Sequence, residues 1–398
     1  MRRFLVRWAI WHFTVWSIVA LLLAPVLPGG ALAAVLIPIV TAAPILELIR
    51  RFRARGGGRR PPYPGRAVRL FLLRPFWYAQ AAGPFLAAVG LLGALAGLAF
   101  GEPGAFGRAA VAGGSVMLLV IGVAGWLGSS SLRVTRHRAS WPDLDPRLDG
   151  LVIAQLSDLH VGPHLSTRYL ERVRRAVDDA QPDLIAVTGD VVDDFGADVD
   201  VYARAFGTMA APLGVFVSAG NHDVYAGWAE VRERLERLPV TVLVNEWRAV
   251  PHRGAELVVV GLGDPAGRSW SRDGGANVAP DAERALAGVP DRAFTVALAH
   301  NPALWPELAR RRVRLTLSGH THWGQLARGS WSLASQFLEH SMGGYADAMS
   351  LLYIHPGTGY WGIPFRLGAW PEIALIELRR APGDPGWETG LPAVGTGR

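Results

Sequence analysis

Gly319-His320-Thr321-His322 follows an apolar run, Val313–Ser318, and carries two imidazoles two residues apart. In an extended or turning segment residues i and i+2 share a side, so both rings can serve neighbouring metal ions. A glycine ahead of the first lets the backbone approach closely. Four further clusters of the same kind lie upstream: Asp158-Leu159-His160, Gly189-Asp190, Gly220-Asn221-His222-Asp223 and His300. Each stands just past a run that reads as a buried strand: Leu151–Leu156, Leu184–Val187, Val215–Ser218 and Phe294–Leu298. Taken singly, each cluster has a bland explanation. Asp favours helix caps and turns, and a lone His at a strand end is a satisfied polar residue. Those explanations do not account for five clusters at five strand ends. With His222 and Asp223 set aside they offer two carboxylates, an amide oxygen and four imidazoles, and the chain has no Cys to add a thiolate. Such a nitrogen and oxygen set suits Mn, Fe, Zn or Co better than Mg or Ca. It exceeds what one four-coordinate ion can use, so two divalent metals are the economical expectation.

Five ordered blocks, D-x-H, G-D, G-N-H-D, H and G-H-x-H, resemble the signature of the calcineurin-like metallophosphoesterases. The likeness covers about Leu132–Leu378. The flanks Asp149–His160 and Gly319–Gln325 are similar to the membrane-associated bacterial branch, some of whose members carry amino-terminal transmembrane spans. The resemblance implies a four-layer αββα sandwich. It implies that Asp158, His160 and His322 bind a first metal, that Asp190 bridges both, and that Asn221, His300 and His320 bind the second. His222 is then a proton donor or phosphate contact, with Asp223 as its orienting partner. The implied reaction is hydrolysis of a phosphomonoester or phosphodiester by a hydroxide that bridges the metals, with manganese as the expected ion in vitro. Two metals about 3.5–4 Å apart stabilise both the entering and the leaving oxygen. Charge growing on the phosphoryl oxygens would be met by the metals and His222, and protonating the leaving oxygen is general-acid work for an imidazole.

The elements that must position these residues read as one soluble α/β domain over 131–380. Strand, polar cluster and helix repeat along it, and ligands in such sheets collect beyond the carboxyl ends of the strands. Helices are expected at Ser166–Ala180, Asp200–Met209, Trp228–Leu238 and Pro302–Arg311. Leu132–Trp141 alternates as an edge strand does, and Ser350–His355 and Glu372–Leu378 are expected as the last strands. Gly357–Gly362 matches G-x-G-x-x-G, but Pro364 forbids the helix a dinucleotide site requires. Gly261–Asp264 reads as a turn, and His164, His340 and His355 receive no role. Residues 381–398 are rich in Gly and Pro and are expected to be a disordered tail.

The first 130 residues read as membrane. Stretches at about 8–27, 31–49, 76–100 and 109–128 are long and charge-poor enough to span a bilayer, with Trp and Tyr near their ends. Met1–Ala33 also resembles a signal peptide ending in Ala31-Leu32-Ala33, but three further spans favour an anchor. An Arg-rich segment, 50–74, is expected as a flexible cytoplasmic loop. It accounts for much of the net charge of +7, which therefore points to topology rather than to nucleic acid. Arginines before span one, between spans two and three, and after span four all fall on one side, so the positive-inside rule places the catalytic domain in the cytoplasm. The expectation is a multi-pass membrane phosphoesterase acting on a lipid or nucleotide-linked lipid phosphate. The alternative is a catalytically idle membrane sensor or scaffold that binds a phosphorylated ligand. An alkaline phosphatase fused after Arg398 is expected to be inactive in intact cells, where a fluorescent protein at the same place is bright; the opposite pattern would place the domain outside.

Overall fold

Strands that are apolar at every position leave no face for solvent, so the sheets they form must be covered on both sides. The computed structural model describes residues 2–27, 29–56, 62–270 and 278–391. It divides into two compact units, Met1–Ala124 and Gly125–Arg398.

The second unit contains the strands β1 (Arg133–Trp141), β2 (Val152–Leu156), β3 (Leu184–Thr188), β4 (Val215–Ser218), β5 (Thr241–Val242), β6 (Glu246–His252), β7 (Ala255–Gly261), β8 (Phe294–Leu298), β9 (Leu315–Ser318), β10 (Ala327–Arg328), β11 (Trp331–Ser332), β12 (Gly343–Asp347), β13 (Ser350–Ile354), β14 (Glu372–Arg380) and β15 (Gly386–Leu391). One sheet of seven strands runs β15-β1-β14-β2-β3-β4-β5, and a second of six runs β12-β13-β9-β8-β7-β6. Period-two alternation splits each central strand between two cores. Ile153, Leu184, Ala186, Leu257, Val259, Val296, Leu298, Leu315 and Leu317 fill the space between the sheets. Ala154, Leu156, Ile185 and Val187 face the other way, onto Leu170, Val173, Tyr202, Phe206 and Val231 of three helices. On the outer face of the second sheet, Val258, Val260 and Ala297 pack on Ala282, Ala285 and Leu308 from two short helices. The order of layers is therefore α, β, β, α.

Strands β2, β3 and β4 are parallel, as are β7, β8 and β9. Their carboxyl ends lie at one edge of the sandwich, and every polar cluster named above follows one of them.

Two expectations for this unit need correction. Strand β1 is not an edge strand, because β15 pairs with it in antiparallel. That edge comes from the tail expected to be disordered: Gly386–Leu391 is ordered, and residues 392–398 lie outside the described residues. Trp387 supplies the reason. Its indole donates to the Tyr345 carbonyl at 3.0 Å and its ring lies 5.6 Å from that of Tyr353, so one aromatic residue anchors an otherwise polar segment. Strands β6, β10, β11 and β12 were not legible, being short or mostly exposed.

In the first unit, four helical stretches are long and apolar enough to cross a membrane: Leu5–Val26, Leu32–Arg50, Arg66–Phe100 and Pro103–Gly128. The second is two helices in series, Gly30–Ala42 and Ile45–Gly56, parted before Pro44, which has no N–H to continue the ladder. Pro38 and Pro84 lie inside helices. The Arg-rich segment differs from a flexible loop. Helix continues through Arg50 to Gly56 and resumes at Arg66, because Arg is a good helix former, and the described break at 62–65 contains Pro62 and Pro64; residues 57–61 lie outside the described residues. Val15, Val19, Leu86, Ala87 and Val111 form the core of this unit. His12 is buried there, with Nδ1 3.1 Å from Gln80 Oε1 and Nε2 3.0 Å from the Pro38 carbonyl.

The core between the sheets carries the rigidity on which the site depends. Leu317 is fully buried in it, one residue before Ser318 ends β9. Leu317→Ala is expected to cost about 2–5 kcal/mol, read as a lower thermal midpoint of the detergent-solubilised protein by circular dichroism. An unchanged midpoint would mean that the two sheets do not pack through this residue.

Candidate metal centre

At the carboxyl ends of the strands the backbone turns left-handed to aim polar side chains inward. Asp158, His160, Asp190, His320 and His322 have φ of 52°, 47°, 51°, 70° and 49°. A left-handed residue other than glycine costs about 1–2 kcal/mol, and Asn, Asp and His bear it best. Neighbouring strand ends hold these turns together. Asp158 N–H donates to the Gly189 carbonyl at 3.1 Å, His160 N–H to Asp190 at 3.0 Å, Gly319 N–H to His300 at 3.0 Å and Gly359 N–H to Asp158 at 2.9 Å. The approach is close enough that a Cβ on Gly319 would overlap Ser157 Oγ and Asp158 Oδ2, and one on Gly220 would overlap Asp190.

The side chains converge in two adjoining nests. In the first, His322 Nε2 lies 3.2 Å from Asp158 Oδ1 and 3.0 Å from His160 Nε2. In the second, His300 Nε2 lies 3.1 Å from Asn221 Oδ1 and 3.3 Å from Asp190 Oδ2, and His320 Nδ1 lies 2.7 Å from Asn221 Oδ1. Asp190 Oδ2 stands between the nests, with His160 Nε2 at 3.6 Å on its other side. His300 Nδ1 faces the Thr188 carbonyl at 2.8 Å, to which it must donate, so Nε2 is the nitrogen that faces Asp190 and would bind a metal once deprotonated.

These residues fit divalent metal ions. Asp158 and Asp190 are buried, and the cationic groups that face them in these nests are imidazoles. Burial alone would raise the Asp158 carboxyl, yet His322, His300 and His160 hold it well below the usual range. Asp190 is likewise held low against burial, by His300, His222 and His160. Burial opposes a charge on His300, but Asp190 and Asp158 lift it well above the ordinary value. His320 is pushed down to about 4 by burial and by His300. Burial also takes His322 to about 4, more than Asp158 restores. Imidazole nitrogens and carboxylate oxygens thus converge on shared points, and a divalent cation there would replace the proton that Asp190 and Asp158 favour on His300, an arrangement that suits a borderline metal. Asp158, His160 and His322 form one set able to hold an ion, and Asp158, Asp190 and His300 another, each with donor atoms within 4.8 Å of one another.

The family model for calcineurin-like phosphoesterases matches residues 151–324. That stretch is a calcineurin-like phosphoesterase domain. The chain is 32% identical over 248 residues to a transmembrane protein with metallophosphoesterase domain from Danio rerio, covering 60% of this chain and 55% of that protein. It is 28% identical over 262 residues to an uncharacterized metallophosphoesterase of Aquifex aeolicus, covering 66% of this chain and 97% of that one. The chain spans a little over half the length of the vertebrate relatives it matches, 55% for Danio rerio and 57% for Bos taurus. Among solved structures, a dimetal phosphatase from Danio rerio superposes with a TM-score of 0.39 at 11% identity, over 62% of this chain and all of the other; a score so low adds nothing to the assignment.

In the phosphoesterase domain His222 borders both nests, its ring centre 4.6 Å from that of His160. Asp223, expected to orient it, does not. Its carboxylate accepts from Gly220 N–H at 3.0 Å and Val192 N–H at 3.1 Å, as the capping residue of the helix that begins at Asn221. Burial and the Asp190 charge push Asp223 up to about 7. The partner of His222 is Asp193. His222 Nδ1 donates to the Asp193 carbonyl at 3.0 Å, and Asp193 Oδ1 lies 3.3 Å from it and 3.4 Å from His160 Nδ1. Burial works against ionised Asp193, but His160 and His222 hold its carboxyl far below the usual range. Its sequence signal was its place three residues past Asp190.

Asp264 was also missed. It follows β7 just as the other clusters follow their strands, and reading Gly261–Asp264 as a turn discarded that parallel. Asp264 is buried, and burial raises its pKa against the pull of His300. Arg366 is fully buried, with Nη2 2.8 Å from His322 Nδ1 and Nη1 2.6 Å from the Pro356 carbonyl. The Gly357–Gly362 loop runs without a helix and clamps the end of β2, with Thr358 N–H donating to Ser157 at 2.7 Å. His355 is buried behind it and pushed down to about 4 by burial. His340 packs on Trp305 and Tyr345, and the His164 carbonyl accepts from Tyr360 Oη at 2.8 Å.

Burial lowers the His222 pKa, but Asp190 and Asp193 raise it to about 9, from an ordinary 6.5. A raised pKa gives a stability contribution that is complete below pH 6.5 and lost as the pH rises through about 9. In metal-free protein, His222→Asn is therefore expected to lower the thermal midpoint at pH 6.5 and to flatten its decline toward pH 9. Parallel curves for the two proteins would show that His222 is not held protonated.

Proposed function

We propose that the chain is a membrane-anchored phosphoesterase that uses two divalent metals to hydrolyse a phosphomonoester or phosphodiester, on lipids in preference to soluble esters. One observation carries the reading: Asp190 Oδ2 lies within 3.3 Å of His300 Nε2 and 3.6 Å of His160 Nε2, so one carboxylate is shared by two nests of metal-binding donors. Asp158, His160 and His322 would hold the first ion and Asn221, His300 and His320 the second, with Asp190 common to both. Bound metals would supply Lewis-acid polarisation of the phosphoryl oxygens and an acidified water at neutral pH.

The protein's own groups would do the rest. Asp193 engages His222 Nδ1, so Nε2 is the nitrogen left for a phosphoryl or leaving oxygen. Asp193 favours the protonated ring, the form that a general acid for the leaving oxygen needs. Asn221 contributes an oxygen with no charge to repel the phosphate. Burial of Asp158 and Asp190 keeps their fields from being screened by water. Four apolar helices support the anchor. The arginines flanking them support a cytoplasmic site. Only residues 129–132 separate the last helix from β1, which ties the site to the bilayer and favours a lipid phosphate as substrate.

Purified full-length protein is expected to bind two metal ions per chain by elemental analysis and, with Mn, to hydrolyse aryl phosphoesters. Asp190→Asn should abolish turnover and lower the metal content. His222→Asn should keep the metals and lower kcat by about 10²–10⁴. Fully loaded wild-type protein that turns over no ester in a broad panel would favour the binding-only alternative.

A further inference from the structure

Large apolar side chains exposed on the second unit are confined to two places. Trp126 and Leu127 lie on the last turn of the apolar helix, and Tyr225, Trp331, Leu333, Phe337, Leu338 and Trp361 make up the rest among the described residues. Two of these six adjoin His222, and the other four lie on the segment that packs on the turn carrying His322. The rings of Tyr225 and Trp361 lie 5.5 and 6.2 Å from that of His222. Gln325, just past His322, donates to the Trp361 carbonyl at 3.1 Å. The β11 strand with Trp331 and the turn after it pack on the turn carrying His322: Leu333 N–H donates to Leu326 at 2.8 Å, and a Cβ on Gly324 would strike Leu333. Phe337 is 80% exposed, which a water-facing surface does not explain.

We propose that this collar is a docking surface for the bilayer, and that it seats the mouth of the metal centre on the membrane. Three observations favour a lipid surface over other occupants. The segment 329–338 has no charged residue and is bracketed by Arg328 and Glu339, so apolar and aromatic side chains project between polar flanks. Trp and other aromatic rings prefer the membrane interface, with the ring in the acyl boundary and the polar edge wet. The bilayer is also within reach by covalent tether: Gly128 ends an apolar helix and Arg133 begins β1, a gap of at most about 18 Å even when extended. The collar is continuous with that tether inside this unit. Arg366 N–H donates to the Gly125 carbonyl at 2.8 Å, so the loop that begins at Trp361 also holds the turn bearing Trp126 and Leu127. The bilayer then supplies both a floor for the site and a path for a phosphate-bearing lipid. That last step rests on the hydrolytic function proposed above, whereas the docking does not.

The chain has no cysteine, so Phe337→Cys gives a single attachment point for an environment-sensitive NBD label. Glu256→Cys, exposed at the start of β7 and so at the opposite edge of the sheets, is the control. In nanodiscs of phosphatidylcholine and phosphatidylglycerol, the label at 337 should shift to the blue and be quenched severalfold more by doxyl-labelled lipid than the label at 256. A label at 337 that stays in water, or that is shielded but unquenched as when a second copy covers it, overturns the proposal. Phe337→Ser with Leu338→Ser should lower hydrolysis of a vesicle-embedded lipid phosphate by about tenfold or more and leave a water-soluble aryl phosphate unchanged. Equal loss on both substrates overturns a docking role. A quenched label without turnover of any ester supports the surface and removes the hydrolytic function. Turnover with an unquenched label does the reverse.

Discussion

Two carboxylates buried among imidazoles set the terms for the rest of the second unit. An ionised Asp out of water is costly unless opposite charge and hydrogen bonds meet it. Asp158 takes Ser157 Oγ–H at 2.6 Å and His320 N–H at 3.1 Å, and Asp190 takes His222 N–H at 2.8 Å. The last two join segments far apart in sequence, and the bond from His320 links the end of β9 in one sheet to the end of β2 in the other, so it is made only if the sandwich closes.

Closing it has a local cost. Five of the convergent residues sit at positive φ, and left-handed Asp and His persist because neighbouring backbone leaves them no other conformation. The two sheets act as the frame. Their shared core of Leu, Val and Ile side chains fixes the strand ends, and hydrogen bonds from one turn to the next hold the ligand-bearing loops. Gly319 and Gly220 are the points where chains come so close that no side chain fits. Rigidity of this kind suits a site that must hold charge in place before a ligand arrives.

The exposed apolar surfaces obey a different logic. The apolar helices of the first unit bury little of their surface within the unit, from 11% to 28% of their most apolar windows, so most of it is left for another apolar medium. In the second unit the exposed apolar residues are few and collected. The docking proposed above would answer both patterns with one apolar medium.

The order and chemistry of the donor set were legible in the sequence, because Asp, His and Asn at strand ends depend on local pattern and on the period of the strands. So were the layered sheets, since their central strands are mostly apolar, and the four long apolar stretches. The features that stayed hidden turned on contacts between distant segments. Asp223 adjoins His222 in sequence, whereas Asp193 stands 29 residues before it. Tertiary structure chose Asp193, because a helix starts at Asn221 and draws the Asp223 carboxylate onto the backbone as its cap. A polar tail became strand β15 because Trp387 found Tyr345 and Tyr353 more than thirty residues earlier. Asp264 and Arg366 joined the site, and Phe337 was left facing outward, by the same rule. Residue type fixes which chemistry a chain can perform; only packing decides which groups are desolvated together, and desolvation gives their charges force.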